Sequence, residues 1–260
     1  MIRSMYSGIS GMKGFQTKLD VIGNNIANVN THGFKKGRVM FQDMVSQQIQ
    51  GSMAPTNERG GVNSQQVGSG STIGAIDTVH TEGPNQYTGR ILDLAIKGEG
   101  YFTVEQGGET YYTRAGNFYI DSENNIVNSS GAYMLTDTGE RIQAPPTAES
   151  ISINKEGQIQ FGMPDGEEDV VYQIGIARFP NPDGLDNAGG NLFVATNASG
   201  AAVQNPDGIG QVQSSYLEMS NVDLSDEFTE MIVAQRGFQA NSRVITTSDE
   251  ILQELVNLKR

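Results

Sequence analysis

The side chains best suited to chemistry near neutral pH in these 260 residues are two histidines, His32 and His80. Neither has a neighbouring cluster that reads as metal ligands, so both read as loop histidines facing solvent. There is no cysteine, which excludes disulfides, thiolate zinc sites and a cysteine nucleophile. It also suits a protein that is exported and must not cross-link on the way. Residues 68–74, GSGSTIG, resemble a phosphate loop only in being glycine-rich; the lysine is missing, and a linker is the better reading. DSENNIVN, starting at Asp121, opens like a calcium loop but lacks the glycine at the sixth position and the closing glutamate. NPDGLDNAGGN at 181–191 is explained as a cluster of turns. Carboxylates are plentiful, but acid–base work needs two of them in one pocket. The reading is therefore of no catalytic residue, no cofactor and no metal. Two alternatives have distinct signatures. A glycoside hydrolase would hold two carboxylates ~5–9.5 Å apart. An adhesin would expose an aromatic patch from Tyr101, Tyr111, Tyr112 or Tyr119.

The run NNIANVNTHGFKK from Asn24 crowds asparagines, which are poor helix formers, into what is otherwise a helical pattern. Upstream of it, Ile2, Met5, Ile9, Met12, Phe15, Leu19, Ile22, Ile26 and Val29 follow one another at steps of three and four. Gly8, Gly11, Gly14 and Gly23 weaken that helix by roughly 1 kcal/mol each, so alone it should fray. Asn30 to Gly33 read as its stop signal, with Gly33 in left-handed geometry. Asn24, Asn25 and Asn28 fit that stop or, equally, amides bonding across packed helices. At the other end Met231, Ala234, Phe238, Asn241, Ile245, Ser248, Leu252 and Leu255 alternate three and four as a coiled-coil seam. Asp223 and Ser225 are the candidate N-caps.

Charge follows the same division. The net charge of −13 argues against nucleic acid. Residues 1–47 are net positive, while 48–219 and 220–260 are net negative. No segment approaches the ~18 apolar residues of a membrane span, and the N-terminus lacks the apolar core of a secretory signal. The fold class expected is α+β: terminal helices pairing as a coiled-coil-like domain around a central all-β sandwich or distorted barrel. The expected divisions are 1–34 helical, 35–74 a linker or extended arm, 75–218 β-rich, and 219–260 the closing helix.

Three stretches in this order resemble the bacterial flagellar axial proteins, the rod, hook and hook-associated family. They are LDVIGNNIANVNTHGFK near the N-terminus, TGRILDLAIKGEGYFTV with YTRAGNFYID at 88–121, and the segment 220–260. Within the family MIVAQRGFQAN looks hook-like, whereas FKKGRVMFQDM has a rod-like flavour. The resemblance implies a short, bacillus-like hook subunit, with the distal rod as the alternative. It implies export through the flagellar type III channel, assembly with the help of a cap protein, contact with adjacent axial proteins, and a final place in the flagellum outside the cell. Its partners would be further copies of itself, with no nucleic acid and no membrane insertion. The polymerisation interface would then comprise Ile9, Met12, Phe15, Leu19, Ile22 and Ile26 with Met231, Phe238, Ile245, Leu252 and Leu255, and the amides Asn24, Asn25, Asn28 and Asn241. Lys13, Lys18, Lys35 and Lys36 would loosely meet Glu227, Glu230, Asp249 and Glu250.

Overall fold

The computed structural model describes all residues except Met1, 56–59, 62, 147, 149, 164–168, 206–209 and 259–260. The chain divides into two compact units. One comprises residues 1–26, 37–77 and 223–260; the other comprises 27–36 and 78–222.

The first unit is built on two helices, α1 (Ile2–Ala27) and α2 (Leu224–Leu258). Asp223 caps α2: its carboxylate accepts from the Ser225 N–H at 2.8 Å, satisfying one of the orphan donors of the first turn. The helices run antiparallel, since contacts climb on α1 as they fall on α2. Ser4 meets Ser248, Gly8 meets Ile245, Gly11 meets Asn241, Phe15 meets Gly237, and Asn25 meets Glu227. The segment expected as a linker or extended arm contains paired strands. β1 (Gly37–Asp43) pairs with β4 (Ser71–Thr78), and β2 (Ser46–Gln50) pairs antiparallel with β3 (Gln65–Gly68). The segment thus goes out and returns as an arm of two successive two-stranded sheets.

Short strands joined by tight turns make the second unit. Its nine-stranded sheet centres on Tyr101–Gln106. One edge of that strand pairs with Glu109–Thr113 through a Gly107-Gly108 turn, both glycines at positive φ. The other edge is shared between Ile176–Arg178 and Tyr133–Met134. A three-stranded meander (Ser150–Ile153, Gln158–Gly162, Val170–Gln173) forms a separate sheet. The run VVYQIGIARF, which alternates as one strand, is split between these two sheets. Gly175 is the break: a Cβ there would lie 2.6 Å from the Thr136 carbonyl oxygen.

Alternation along Tyr101–Gln106 serves two cores. Phe102 and Val104 face a large cluster with Leu94, Ile96, Phe118 and Phe161. Tyr101 faces a smaller one with Tyr112, Phe179, Leu185 and Phe193. Each fully buried large side chain contributes about 1.5–3 kcal/mol. Within DSENNIVN, residues 121–125 are the hairpin turn between Phe118–Ile120 and Ile126–Asn128, with Asn124 in left-handed geometry at φ 63°.

Candidate assembly interface

In the helical unit three of the four glycines that weaken α1 by propensity, Gly8, Gly11 and Gly14, mark close approaches, whereas a Cβ on Gly23 would meet nothing within 4 Å. A Cβ on Gly11 would sit 2.8 Å from the Asn241 amide nitrogen, and one on Gly14 would sit 2.8 Å from the Phe41 ring of β1. Across the pair, Gly237 makes room for Phe15, whose ring atom would lie 2.6 Å from a Cβ there. Phe15 also meets Phe41 at 5.9 Å between ring centres. Small residues here let two helices and a strand converge, a gain in contact that offsets the propensity cost.

The asparagines divide by role. Asn25 is 1% exposed. Its amide donates to the Gly37 carbonyl at 2.9 Å and accepts from the Gly37 N–H at 2.9 Å, so it imitates a strand partner at the start of β1. The same amide nitrogen donates to Glu227 of α2 at 3.1 Å. It therefore joins the beginning of the arm to both helices. Asn28 instead lies in the turn after α1, where its side-chain oxygen accepts from the Thr31 hydroxyl at 3.1 Å. Asn24 is exposed. Helix α1 ends at Ala27, earlier than the apolar spacing predicts, and Val29 falls in the turn. Gly33 has the expected positive φ, but it belongs to a later turn packed against the Arg114–Ala115 backbone, where a Cβ would be 2.5 Å from the Ala115 nitrogen.

Of the other expected interface residues, Ile22 is buried, and Met12, Phe15, Leu19, Ile26, Met231, Phe238, Asn241, Ile245 and Leu252 are half-buried. Ile9 and Leu255 are exposed. Lys18 pairs with Glu230 across the helices. Beyond the predicted set, Phe228, Ile232 and Val233 present half their surface to solvent, as do Ile49, Met53 and Ile76 of the arm region. They were missed because they lie off the seam; a count of apolar residues on the remaining helix faces would have found them.

Lys35 does not reach toward α2. In the β unit it is buried with Glu218 and Arg114, a correction to its expected place on the surface. Its ammonium donates to Glu218 at 2.5 Å and to the Thr81 carbonyl at 2.8 Å. Arg114 donates to the other Glu218 oxygen at 3.1 Å and to the Ile96 and Gly98 carbonyls. Burial lowers the Lys35 pKa, and the Glu218 charge opposes that shift. The cluster ties the segment leaving α1 and the strand before α2 to the β unit, a structural role in which every charge is partnered.

His80 is likewise not a solvent-facing residue. Its Nδ1 shares a 2.7 Å hydrogen bond with the Tyr101 hydroxyl, and its ring lies edge-on to Phe193. Burial pulls its pKa down to about 4 and raises that of Tyr101, so at neutral pH both are uncharged. Tyr101 and Tyr112 are buried, Tyr111 is half-buried against the larger core, and Tyr119, though exposed, lies under the Arg90 guanidinium at 4.2 Å. The aromatic patch that an adhesin would need is thus dispersed. Among the described residues, no group of three or more His, Asp or Glu could hold a metal.

Comparison with known proteins bears directly on function. Three families match in order along the chain: "Flagella basal body rod protein" at residues 5–35, "Flagellar hook protein FlgE/F/G D1 domain" at 95–161, and "Flagellar basal body rod FlgEFG protein C-terminal" at 213–258. The flagellar basal-body rod protein FlgG of Bacillus subtilis is 58% identical over the whole of both chains. The chain belongs to the flagellar rod and hook protein family. Another rod relative, FlgG of Borreliella burgdorferi, is 39% identical over 269 positions and the full length of both chains. The hook protein FlgE of the same bacterium is 30% identical over an alignment of 441 positions. These relatives do not favour the hook-first expectation, because the rod proteins match at higher identity and at this chain's own length. Rod and hook proteins are structural parts of the flagellum, so the hydrolase alternative is set aside.

Proposed function

We propose that the chain is the distal rod subunit of the flagellar basal body, a structural protein that polymerises into a straight, stiff tube. The carrying observation is the apolar surface of the helical unit: of the large side chains on α2, Phe228, Ile232, Val233, Ile251, Leu255 and Leu258 are all exposed although α1 lies against that helix. Such surface is stable in water only when other subunits cover it, and a repeated contact that does not close on itself makes a filament. The full-length match to rod proteins supports rod over hook. Passage through the export channel, capping at the growing tip, and contact with neighbouring axial proteins complete the reading. Helices whose packing depends on neighbours fit it, since their ordering is completed at assembly.

Electron microscopy of the purified chain after assembly tests this. Straight tubes are expected. Curved ones would return the assignment to the hook, and failure to form any polymer would remove the function itself.

A further inference from the structure

We propose that the last turns of α2 of one copy dock into a groove on the helical unit of a second copy, between the start of α1 and the arm. This rests on the polymer reading and names its contact. The groove holds about 440 Å³ and is lined by Tyr6, Ile9, Met44 and Val67, with Arg3 and Lys13 as its charged residues. It is built into the fold rather than left between loosely placed segments. The arm meets α1 at Gly70, which has φ +120° and whose Cβ would fall 2.3 Å from the Ser10 hydroxyl, so only glycine seats the arm this close. The Gly70 carbonyl in turn accepts from the Met44 N–H at 2.9 Å and holds the turn shut.

The occupant is argued from length, polarity and charge. α2 has 35 residues and α1 has 26. Continuing the antiparallel steps from Phe15–Gly237 through Ser4–Ser248, α1 runs out near Glu250, and the rest of α2 has no helical partner among the described residues. That overhang carries Ile251, Leu255 and Leu258 at helical spacing, 48, 48 and 83% exposed. Glu250 and Glu254 flank this stripe one turn apart. An apolar stripe edged with carboxylates thus matches an apolar groove edged with two cations, and the acids set orientation while the apolar contact supplies affinity.

The absence of cysteine in the native chain makes the contact directly measurable. A Lys13→Cys/Leu255→Cys variant, oxidised under assembly conditions, is expected to give a ladder of covalent multimers on a non-reducing gel. Either single variant is expected to stop at dimers. Arg3→Glu/Lys13→Glu and Glu250→Lys/Glu254→Lys are each expected to lose assembly, with circular dichroism unchanged, and the combined four-substitution chain to regain it. Polymers from the native chain without a ladder from the cysteine pair would overturn the docking alone. So would normal assembly by both charge-reversed variants, or failure of the combined variant to regain it. A native chain that never polymerises would overturn both this contact and the function beneath it.

Discussion

The two units of this protein treat apolar surface in opposite ways. Except for Ile22 and Ala234, every fully buried apolar side chain among the described residues lies in the β unit. Most of the exposed large apolar residues, from Tyr6 through Val45 to Leu258, lie in the helical unit. The β unit closes two cores of its own and partners its buried charges; it meets the conditions for independent folding. The helical unit has little interior beyond a seam of half-buried side chains and close glycine contacts. Its stability must come largely from contacts outside the chain, as expected of a part whose working state is a polymer. The difference teaches that one chain can hold a finished domain and an unfinished one, and under the proposed reading the unfinished one carries the function.

The sharpest way to break this contrast is in the β unit. Glu218→Ala would leave Lys35 and Arg114 buried without their carboxylate and should cost about 3–5 kcal/mol, read by denaturant unfolding of the β-unit transition. Should the loss be small, the cluster is not the clamp described. Next in size is the helix seam. Gly237→Val would drive a branched side chain into the Phe15 ring and should weaken helix pairing by about 1–3 kcal/mol, lowering helical circular dichroism while the β transition stays in place.

A third change concerns pH. The folded state holds His80 at about 4, below its unfolded value of 6.5. The resulting stability is present above pH 6.5 and is lost as pH falls toward 4, because the unfolded chain takes up the proton first. After allowance for partial solvent contact, His80→Gln should flatten the acid side of the β unit's thermal profile by about 1–2 kcal/mol. Identical profiles for the native and variant chains would show that His80 does not titrate in this way. Smallest in the monomer, and largest in its consequence, is Ile232→Asp. It should move unfolding by no more than ~0.5 kcal/mol yet abolish tubes in the electron microscope. Normal tubes would mean that this face is solvent in the polymer too.

Much of the architecture was written in local pattern. The three-and-four spacing of apolar residues is imposed by the geometry of a helix, so both terminal helices could be seen in the chain, as could the Asp223 cap. The paired strands of the arm escaped notice because segment 46–68 is polar and rich in glutamine and glycine; its order comes from antiparallel pairing and from the Gly70 contact with α1, neither of which leaves a periodic trace.

By itself the sequence determined the two amphipathic ends, the β-rich centre and the membership in a flagellar family, since each depends on residues near one another or on motifs read in order. Only the tertiary structure decided which asparagine bridges the helices, that Lys35 is buried with Glu218, that His80 is shut against Tyr101, and that Gly8, Gly11 and Gly14 of α1 are seats rather than flaws. Those outcomes depend on distances between residues far apart in the chain, and a residue's own type carries no record of what the fold brings to meet it.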